Sequence, residues 1–357
     1  MLSKIRGRCI LNKIFIFLAR KKSLKVIKYN KPLQLRLNVT IKDYQNCVYL
    51  KKLTKKYNYN LDFEMEELDL KGRELKNDSL DFFSYINPNI LKKLNLSNNN
   101  ISDITKFAKF SNLDYLNLNL NAIEEIKTII NLKNLKELDL YNNKISDISD
   151  LAKADFKELK RLDLNLNKIS DIKVLENCKF YKLEILNLGN NEISDINILK
   201  KAIFPELKEL HLDLNKIVDI EILEQVKFEK LELLNLRCNN ISNINVLEKS
   251  NFKLLKELYL NDNKISNINV LEKVKFNKLE IINLSSNLIQ DINVFKKVHF
   301  NELKTLNLYR NQIADINVFE EINFDKLKLL NLFENKIDKD NSLVLNAIHS
   351  KIKNFIY

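Results

Sequence analysis

One frame of residues, LxxLxLxxNxIxxI, recurs through most of the chain and limits what it can fold into. Its first Leu lies at positions 91, 113, 135, 159, 183, 207, 231, 255, 279, 303 and 327, so the spacing is 22 residues twice and 24 thereafter. Self-similarity at such a period predicts a solenoid, in which each unit buries its apolar side chains against its neighbours. A twelfth unit at residues 65–70 opens the array, with Arg73 where the Asn of the frame would stand.

The order of residue types within the frame predicts the local structure of each unit. The LxL motif alternates strictly, which predicts a short strand with Leu pointing inward, and successive strands then stack into one parallel sheet. After the Asn comes a segment such as ISDINVLEKVKF, in which an Asp or Asn precedes a run of helix formers. That Asp or Asn is expected to be an N-cap, so short helices should line the surface opposite the sheet.

Two columns of residues are assigned to structure rather than to ligand binding. A buried amide at the turn can satisfy backbone groups of its own coil and of the neighbouring coil. The Asn column is Asn99, Asn121, Asn143, Asn167, Asn191, Asn215, Asn239, Asn263, Asn287, Asn311 and Asn335. A second column, three residues before the opening Leu, is expected to form a stacked aromatic spine: Phe110, Phe156, Phe180, Phe204, Phe228, Phe252, Phe276, Phe300 and Phe324.

The frame resembles that of leucine-rich repeats, most closely the intracellular class with 22-residue units found in regulators of protein phosphatase 1. The resemblance covers residues 91 to about 340. It implies an α/β solenoid with a curved parallel sheet on its concave face and short helices on its convex face. It also implies a non-enzymatic scaffold or adaptor that binds another protein, whose identity a fold-level likeness does not supply.

A second period lies inside the first. The two residues after the opening Leu alternate in type from unit to unit, as in Lys208-Glu209 and Glu232-Leu233, which makes a 48-residue unit. The alternation suggests growth by duplication of paired repeats. It also places Ile185, Leu233 and Ile281 on the outward face of every second strand.

The first 60 residues lie outside the repeat and carry most of the charge. They contain 16 Lys and Arg against one acid, Asp43, whereas the whole chain has a net charge of +12. The run from Ile10 to Leu18 has a helical apolar face, and a Leu-rich stretch follows. This segment resembles the F-box, a three-helix module that docks on the adaptor of cullin ubiquitin ligases. The resemblance implies that residues 1–45 recruit such a ligase through Ile10, Leu11, Ile14, Phe15 and Leu18.

Other interpretations of the same segment stay open. It could be a helical cap that shields the first coil, or a polybasic surface for acidic lipid or RNA. Its acid-free basic start also resembles a mitochondrial presequence. The predicted units are thus a basic segment over 1–60, a solenoid over 61–340 and a helical cap over 341–357, where Leu345, Ile348, Ile352 and Phe355 share one helical face.

The sequence offers little chemistry for catalysis. The three glycines are isolated, so no phosphate-binding loop is expected, and neither are a cofactor or a metal. The histidines fall in different contexts and form no triad or metal-site pattern: His211, His299 and His349. The cysteines lack a CxxC pair, which favours a reducing, cytoplasmic location: Cys9, Cys47, Cys178 and Cys238. Nucleic-acid and membrane partners are disfavoured because the basic charge is confined to the first segment.

The outward strand positions are the candidate binding surface, because they have no role in the core. Most are small, polar or charged, and the larger exceptions include the Tyr and Arg types that dominate interface hot spots. The predicted partner-binding residues are Tyr115, Tyr141, Arg161, His211, Arg237, Tyr259, Tyr309, Arg310 and Phe333.

Overall fold

A computed structural model describes residues 65–322, 325–338 and 342–357. The basic segment 1–60, with its F-box-like, cap and polybasic interpretations, lies outside the described residues, as does Phe324. Thirteen three-residue strands form one sheet in which neighbours follow chain order and every pair is parallel. This topology confirms the predicted fold class.

The strands repeat once per coil, and the middle residue of each is a buried apolar side chain. They are β1 (Glu67–Asp69), β2 (Lys93–Asn95), β3 (Tyr115–Asn117), β4 (Glu137–Asp139), β5 (Arg161–Asp163), β6 (Ile185–Asn187), β7 (Glu209–His211), β8 (Leu233–Asn235), β9 (Glu257–Tyr259), β10 (Ile281–Asn283), β11 (Thr305–Asn307), β12 (Leu329–Asn331) and β13 (Asn354–Ile356).

The helices opposite the sheet are nearly all 3₁₀-helices. Most are three to five residues long, and so short a segment closes i→i+3 hydrogen bonds more readily than full α-turns. The 3₁₀-helices are Asn77–Tyr85, Thr105–Phe107, Lys127–Asn131, Ser149–Lys153, Lys173–Asn177, Asn197–Lys200, Glu221–Glu224, Asn245–Glu248, Asn269–Glu272 and Asn293–Lys296. The two α-helices are α1 (Val318–Glu321) and α2 (Ser342–Lys351).

The Asp or Asn that was predicted as the N-cap of each short helix lies before the N-cap instead. In the Ser149–Lys153 helix the N-cap is Ile148, and Asp147 accepts the backbone N–H of Ser149 at 2.7 Å. The same contact recurs in nine coils. These side chains form Asx-turns that lead into the helix and accept its first free N–H, which is the role an N-cap would have had.

The Asn column joins each coil to the one before it. Asn239 is typical: its Oδ1 accepts the N–H of Ile217 in the preceding coil at 3.0 Å. Its Nδ2 donates to the carbonyls of Leu236 and Arg237 in its own turn and of Leu212 in the preceding coil, at 3.0–3.1 Å. All eleven Asn side chains accept a backbone N–H of the preceding coil. The structural assignment of this column is confirmed.

The turn that presents each Asn requires an unusual backbone conformation. The residue before the Asn has a positive φ in every coil, between 48° and 56°. Asn occupies this position in three coils and tolerates the left-handed region, whereas Leu120, Leu166 and Leu214 adopt it as well. The hydrogen bonds of the following Asn therefore hold even bulky residues in this conformation.

The core is a continuous stack of Leu, Ile and Phe side chains. Phe156, Phe180, Phe204 and Phe228 are buried, and their neighbouring ring centroids lie 5.9, 6.1 and 6.2 Å apart. Centroid separations in this range are typical of offset aromatic stacking. All eight described members of the predicted spine are buried, and the predicted stack is confirmed from Phe156 to Phe228 and between Phe252 and Phe276.

The 48-residue alternation has a physical basis in charge. Residues that share a position in adjacent coils are neighbours, so alternating Lys and Glu forms ion pairs between coils. Glu184 lies between Lys160 and Lys208, with N–O distances of 2.8 and 2.7 Å, and their hydrogen bonds lower its pKa to about 2. Further pairs of this type are Lys256–Glu232, Lys304–Glu280, Lys182–Glu158 and Lys230–Glu206.

The C-terminal segment differs from the prediction of a single helix. Helix α2 ends at Lys351 and buries Leu345 and Ile348, as expected. Phe355, predicted to share that helical face, lies instead in β13, which pairs with β12. The segment thus adds one more strand to the sheet, and Phe355 takes the inward position that Leu330 occupies in β12.

We expect Asn239→Ala to lower the free energy of unfolding by about 3 kcal/mol or more, because several buried backbone groups lose their partner at once. Urea denaturation followed by circular dichroism measures the change. The control is Asn240→Ala, which removes the same side chain from the next, half-buried position. Equal losses in the two variants would contradict the assigned role of the Asn column.

Candidate functional site

The outward side of the sheet, which we call the sheet face, consists of three rows of side chains. The first row is formed by the first residue of each strand and the second row by the third residue. The third row is formed by the residue two positions after each strand, such as Arg237 after β8. The rows run along the solenoid, so a side chain has as neighbours the residues at the same position in the coils before and after it.

The second row is a structural ladder, and not only part of the predicted binding surface. In ten of the strands β1–β12 it holds Asn or Asp, and each of these accepts the backbone N–H of the third-row residue in its own coil, at 2.9–3.2 Å. A side chain that accepts a backbone N–H two residues ahead forms an Asx-turn. The regular recurrence of Asn and Asp at this position was the signal that could have revealed it.

His211 and Tyr259 are the two residues of this row in β1–β12 that are neither Asn nor Asp. Neither has the Oδ1 atom with which Asn and Asp accept this hydrogen bond, so neither can form the Asx-turn. They lie in β7 and β9, on either side of Asn235 in β8. Two coils at the middle of the sheet, separated by the coil of β8, thus depart from the residue type that the fold prefers.

Each of these two side chains instead contacts a first-row carboxylate in its own strand. The Tyr259 hydroxyl donates to Glu257 at 2.7 Å, and His211 Nε2 lies 3.4 Å from Glu209. Partial burial, and then the hydrogen bond with Glu257, raise the pKa of Tyr259 well above its ordinary value, so its hydroxyl remains a donor. Both carboxylates are held on the outer surface of the sheet.

Arg237 lies in the third row between these two coils. Its Nε is 3.5 Å from Asp262, a partly exposed contact. Asp213, in the third row of the preceding coil, accepts a hydrogen bond from Asn235 at 3.0 Å, and burial raises the pKa of its carboxyl group. We call His211, Arg237 and Tyr259 the central group, since they occupy consecutive coils.

The other predicted residues form two further groups on the sheet face. Tyr115, Tyr141 and Arg161 occupy consecutive coils near the N-terminal end. Tyr115 accepts a hydrogen bond from Asn117 at 3.2 Å, and Arg161 pairs with the buried Asp163 at 2.8 Å. These contacts indicate that part of this group is engaged within the fold.

The third group lies near the C-terminal end. The rings of Tyr309 and Phe333 stack with centroids 6.2 Å apart, and Phe333 is 48% exposed. A hydrogen bond with Glu334 raises the pKa of Tyr309. Arg310, predicted as an outward strand residue, instead occupies the turn position with φ 53°, so it lies at the rim of the sheet face.

The histidines do not come together. His211 lies in β7, His299 is exposed before β11, and His349 lies in α2, 6.5 Å from the Phe355 ring. Within the described ranges, no group of three or more His, Cys, Asp or Glu side chains is placed to hold a metal ion.

Comparison with known families identifies the repeat. The family model described as "Leucine Rich repeats (2 copies)" matches residues 111–153 and 157–201, and the model "Leucine Rich Repeat" matches residues 91–110. The chain therefore contains leucine-rich repeats, and its fold is a leucine-rich-repeat solenoid. No curated protein matches the sequence.

Solved structures share the fold. An internalin, InlF, of Listeria monocytogenes is 27% identical with a TM-score of 0.63, over 82% of this chain and 87% of the internalin. The functional domain of InlJ from the same organism, which includes a cysteine ladder, is 20% identical with a TM-score of 0.59, over 82% and 62% of the two chains.

A chain in an octameric complex of Latrophilin 3, Unc5D and the repeat domain of FLRT2 is 20% identical with a TM-score of 0.57, over 73% of this chain and 80% of that one. The likenesses to the chain in the octameric complex and to InlJ, each 20% identical, show the fold alone. In the part of the chain that the structure covers, no helix has both the length and the apolar character to cross a membrane.

The two kinds of second-row residue should differ in their effect on stability. Asn235→Ala removes an acceptor for the Arg237 N–H and a donor to Asp213, so we expect the free energy of unfolding to fall by about 1–2 kcal/mol. His211→Ala, which removes no such turn contact, should lower it by less than about 0.5 kcal/mol. Urea denaturation of both variants checks the order, and the reverse order would show that His211 is a structural residue.

Proposed function

We propose that this protein is a non-enzymatic scaffold or adaptor that binds a partner protein through its sheet face, with the central group at the centre of the interface. The observation that carries the proposal is the pair of substitutions in the second row. Ten strands use Asn or Asp there for the turn, whereas His211 and Tyr259 forgo that hydrogen bond. Residues that break a local structural rule without a structural gain are expected at functional sites.

The chemistry of the central group supports the same conclusion. Tyr and Arg are enriched at interface hot spots because they combine a large apolar contact with a polar tip. His211, Arg237 and Tyr259 lie in consecutive coils and are partly accessible. The complex that contains the FLRT2 repeat domain places a chain of this fold in a protein assembly.

An intracellular, reducing location is part of the proposal. The described cysteines, Cys178 and Cys238, are free thiols, and burial raises the pKa of Cys178 to about 12, so this thiol remains protonated. A protonated, buried thiol is a poor nucleophile and behaves as a small apolar side chain.

We expect the double variant His211→Ala, Tyr259→Ala to bind the partner at least tenfold more weakly, about 1.4 kcal/mol. The measurement is quantitative mass spectrometry of the proteins retained from the native cell by the full-length chain and by the variant. Tyr181→Ala is the control, because Tyr181 is a tyrosine that is 48% exposed, more than the half-buried Tyr259, and it lies before β6 and off the sheet face.

The same experiment compares the other groups. A Tyr309→Ala, Phe333→Ala variant removes the stacked pair at the C-terminal end. If the partner is lost in this variant and retained by the central one, the interface lies at the end of the solenoid. If every variant retains the same proteins, the sheet face is not the binding surface.

A second candidate function rests on the sequence of residues 1–45. The F-box-like spacing of apolar residues from Ile10 to Leu18 favours a substrate receptor of a cullin ubiquitin ligase, in which the solenoid holds the substrate. We expect Ile14→Asp, Phe15→Asp in the full-length chain to abolish the recovery of cullin-ligase adaptor subunits. Proteins bound through the sheet face should be retained, since the solenoid is unchanged. Failure to recover any ligase subunit with the unmodified chain would eliminate this function.

A further inference from the structure

A stripe of alternating apolar and acidic side chains runs along the first row at the middle of the sheet. Its five members are consecutive in β6–β10: Ile185, Glu209, Leu233, Glu257 and Ile281. All five are half-buried and face outward. The three apolar side chains have no place in the core, and the two glutamates separate them at regular intervals.

The two carboxylates of the stripe are positioned by the central group. Glu257 accepts the Tyr259 hydroxyl and Glu209 lies beside His211 Nε2. Among the described residues, neither glutamate forms an ion pair with a Lys or Arg, so both carboxylates are open to a cation of a ligand. This differs from the glutamates at the side of the solenoid, such as Glu232 and Glu280, which pair with lysines at 2.6 Å.

A buried acceptor two rows from the stripe, beyond Tyr259, has no donor. Asn261 is 5% exposed, and its Oδ1 accepts no hydrogen bond from any described residue. It lies in the third row of the coil that contains β9, immediately after Tyr259 and Leu260. An unsatisfied buried oxygen destabilises the fold, so this coil carries a second unfavourable feature beside the loss of the turn hydrogen bond at Tyr259.

The spacing of the stripe selects a secondary structure for the ligand. Neighbouring strands lie about 4.8 Å apart, so apolar side chains in alternate strands are separated by about 9.6 Å. Seven residues of an α-helix rise about 10.5 Å, and three or four residues rise about 5 Å. A helix along the solenoid axis can therefore place an apolar residue at each of Ile185, Leu233 and Ile281, with a cationic residue midway at each glutamate.

An added β-strand fits the same spacing poorly. Its side chains on one face repeat every 6.6 Å or so, which brings them into register with neither the apolar nor the acidic positions. We propose that the stripe binds an amphipathic, positively charged helix of the partner protein, with apolar residues seven apart and Lys or Arg midway between them. This inference rests on the proposed function and names the chemistry of the partner.

The test uses designed helical peptides of about 21 residues, titrated into the full-length protein by isothermal calorimetry. The matched peptide has Leu at every seventh position and Lys midway between, on an Ala and Gln background. The control peptide has the same composition with the Leu and Lys positions shuffled around the helix. We expect the matched peptide to bind at least tenfold more tightly than the control.

Protein variants then assign the binding to the stripe. Glu209→Gln, Glu257→Gln should weaken the matched peptide at least tenfold and reduce the salt dependence of binding. The comparison variant Glu158→Gln, Glu206→Gln removes two glutamates from the side of the solenoid, and it should leave the affinity unchanged. Equal binding of the matched and shuffled peptides would overturn the inference, because it would show charge attraction without register.

The inference and the proposed function fail in different ways. If the central-group variant loses its cellular partner but no peptide binds, the sheet face is the interface and its ligand is not a basic helix. If the matched peptide binds in register and the same variant keeps every cellular partner, the stripe takes such a helix but the proposed interface is wrong.

Discussion

The hydrogen bonds between coils are the constraint on which the rest of this structure depends. A three-residue strand followed by a tight turn leaves many backbone groups unpaired within its own coil. Each Asn side chain bridges that turn to the previous coil, as Asn239 does through Ile217 and Leu212. These contacts keep the left-handed residue before each Asn in place and align successive strands. The interior then fills with Leu, Ile and Phe in register.

The strict register of the coils also arranges the surface. Any residue type that recurs at one position forms a row, so charges must alternate if like charges are not to be neighbours. Lys160, Glu184 and Lys208 meet this requirement at the side of the solenoid. Each exposed pair contributes little, about 0.2–1 kcal/mol, yet the alternation avoids a row of like charges. The same alternation leaves an apolar and acidic stripe on the sheet face.

The sheet face therefore contains positions whose side chains form turn hydrogen bonds and positions whose side chains do not. In its second row, most side chains are Asn or Asp that accept a turn hydrogen bond. The first and third rows do not have this role. His211 and Tyr259 interrupt the second row and direct their polar atoms at first-row glutamates. The turn hydrogen bond is absent in these two coils, and we propose that the exchange favours recognition over local stability. It also links the predicted hot-spot residues to the acidic positions beside them.

The sequence alone determined the architecture, because a repeated frame with strand alternation and a turn Asn buries its apolar side chains only when successive coils stack in register. It also predicted the roles of the Asn and Phe columns, since both follow from burial and periodicity. Only the tertiary structure decided that second-row Asn and Asp are turn acceptors, since a hydrogen bond to the backbone two residues ahead depends on the turn geometry. It likewise placed Phe355 in a strand and Arg310 at the rim. Spacing cannot separate a final helical turn from an added strand, nor a strand residue from a left-handed turn, when the side-chain pattern is the same.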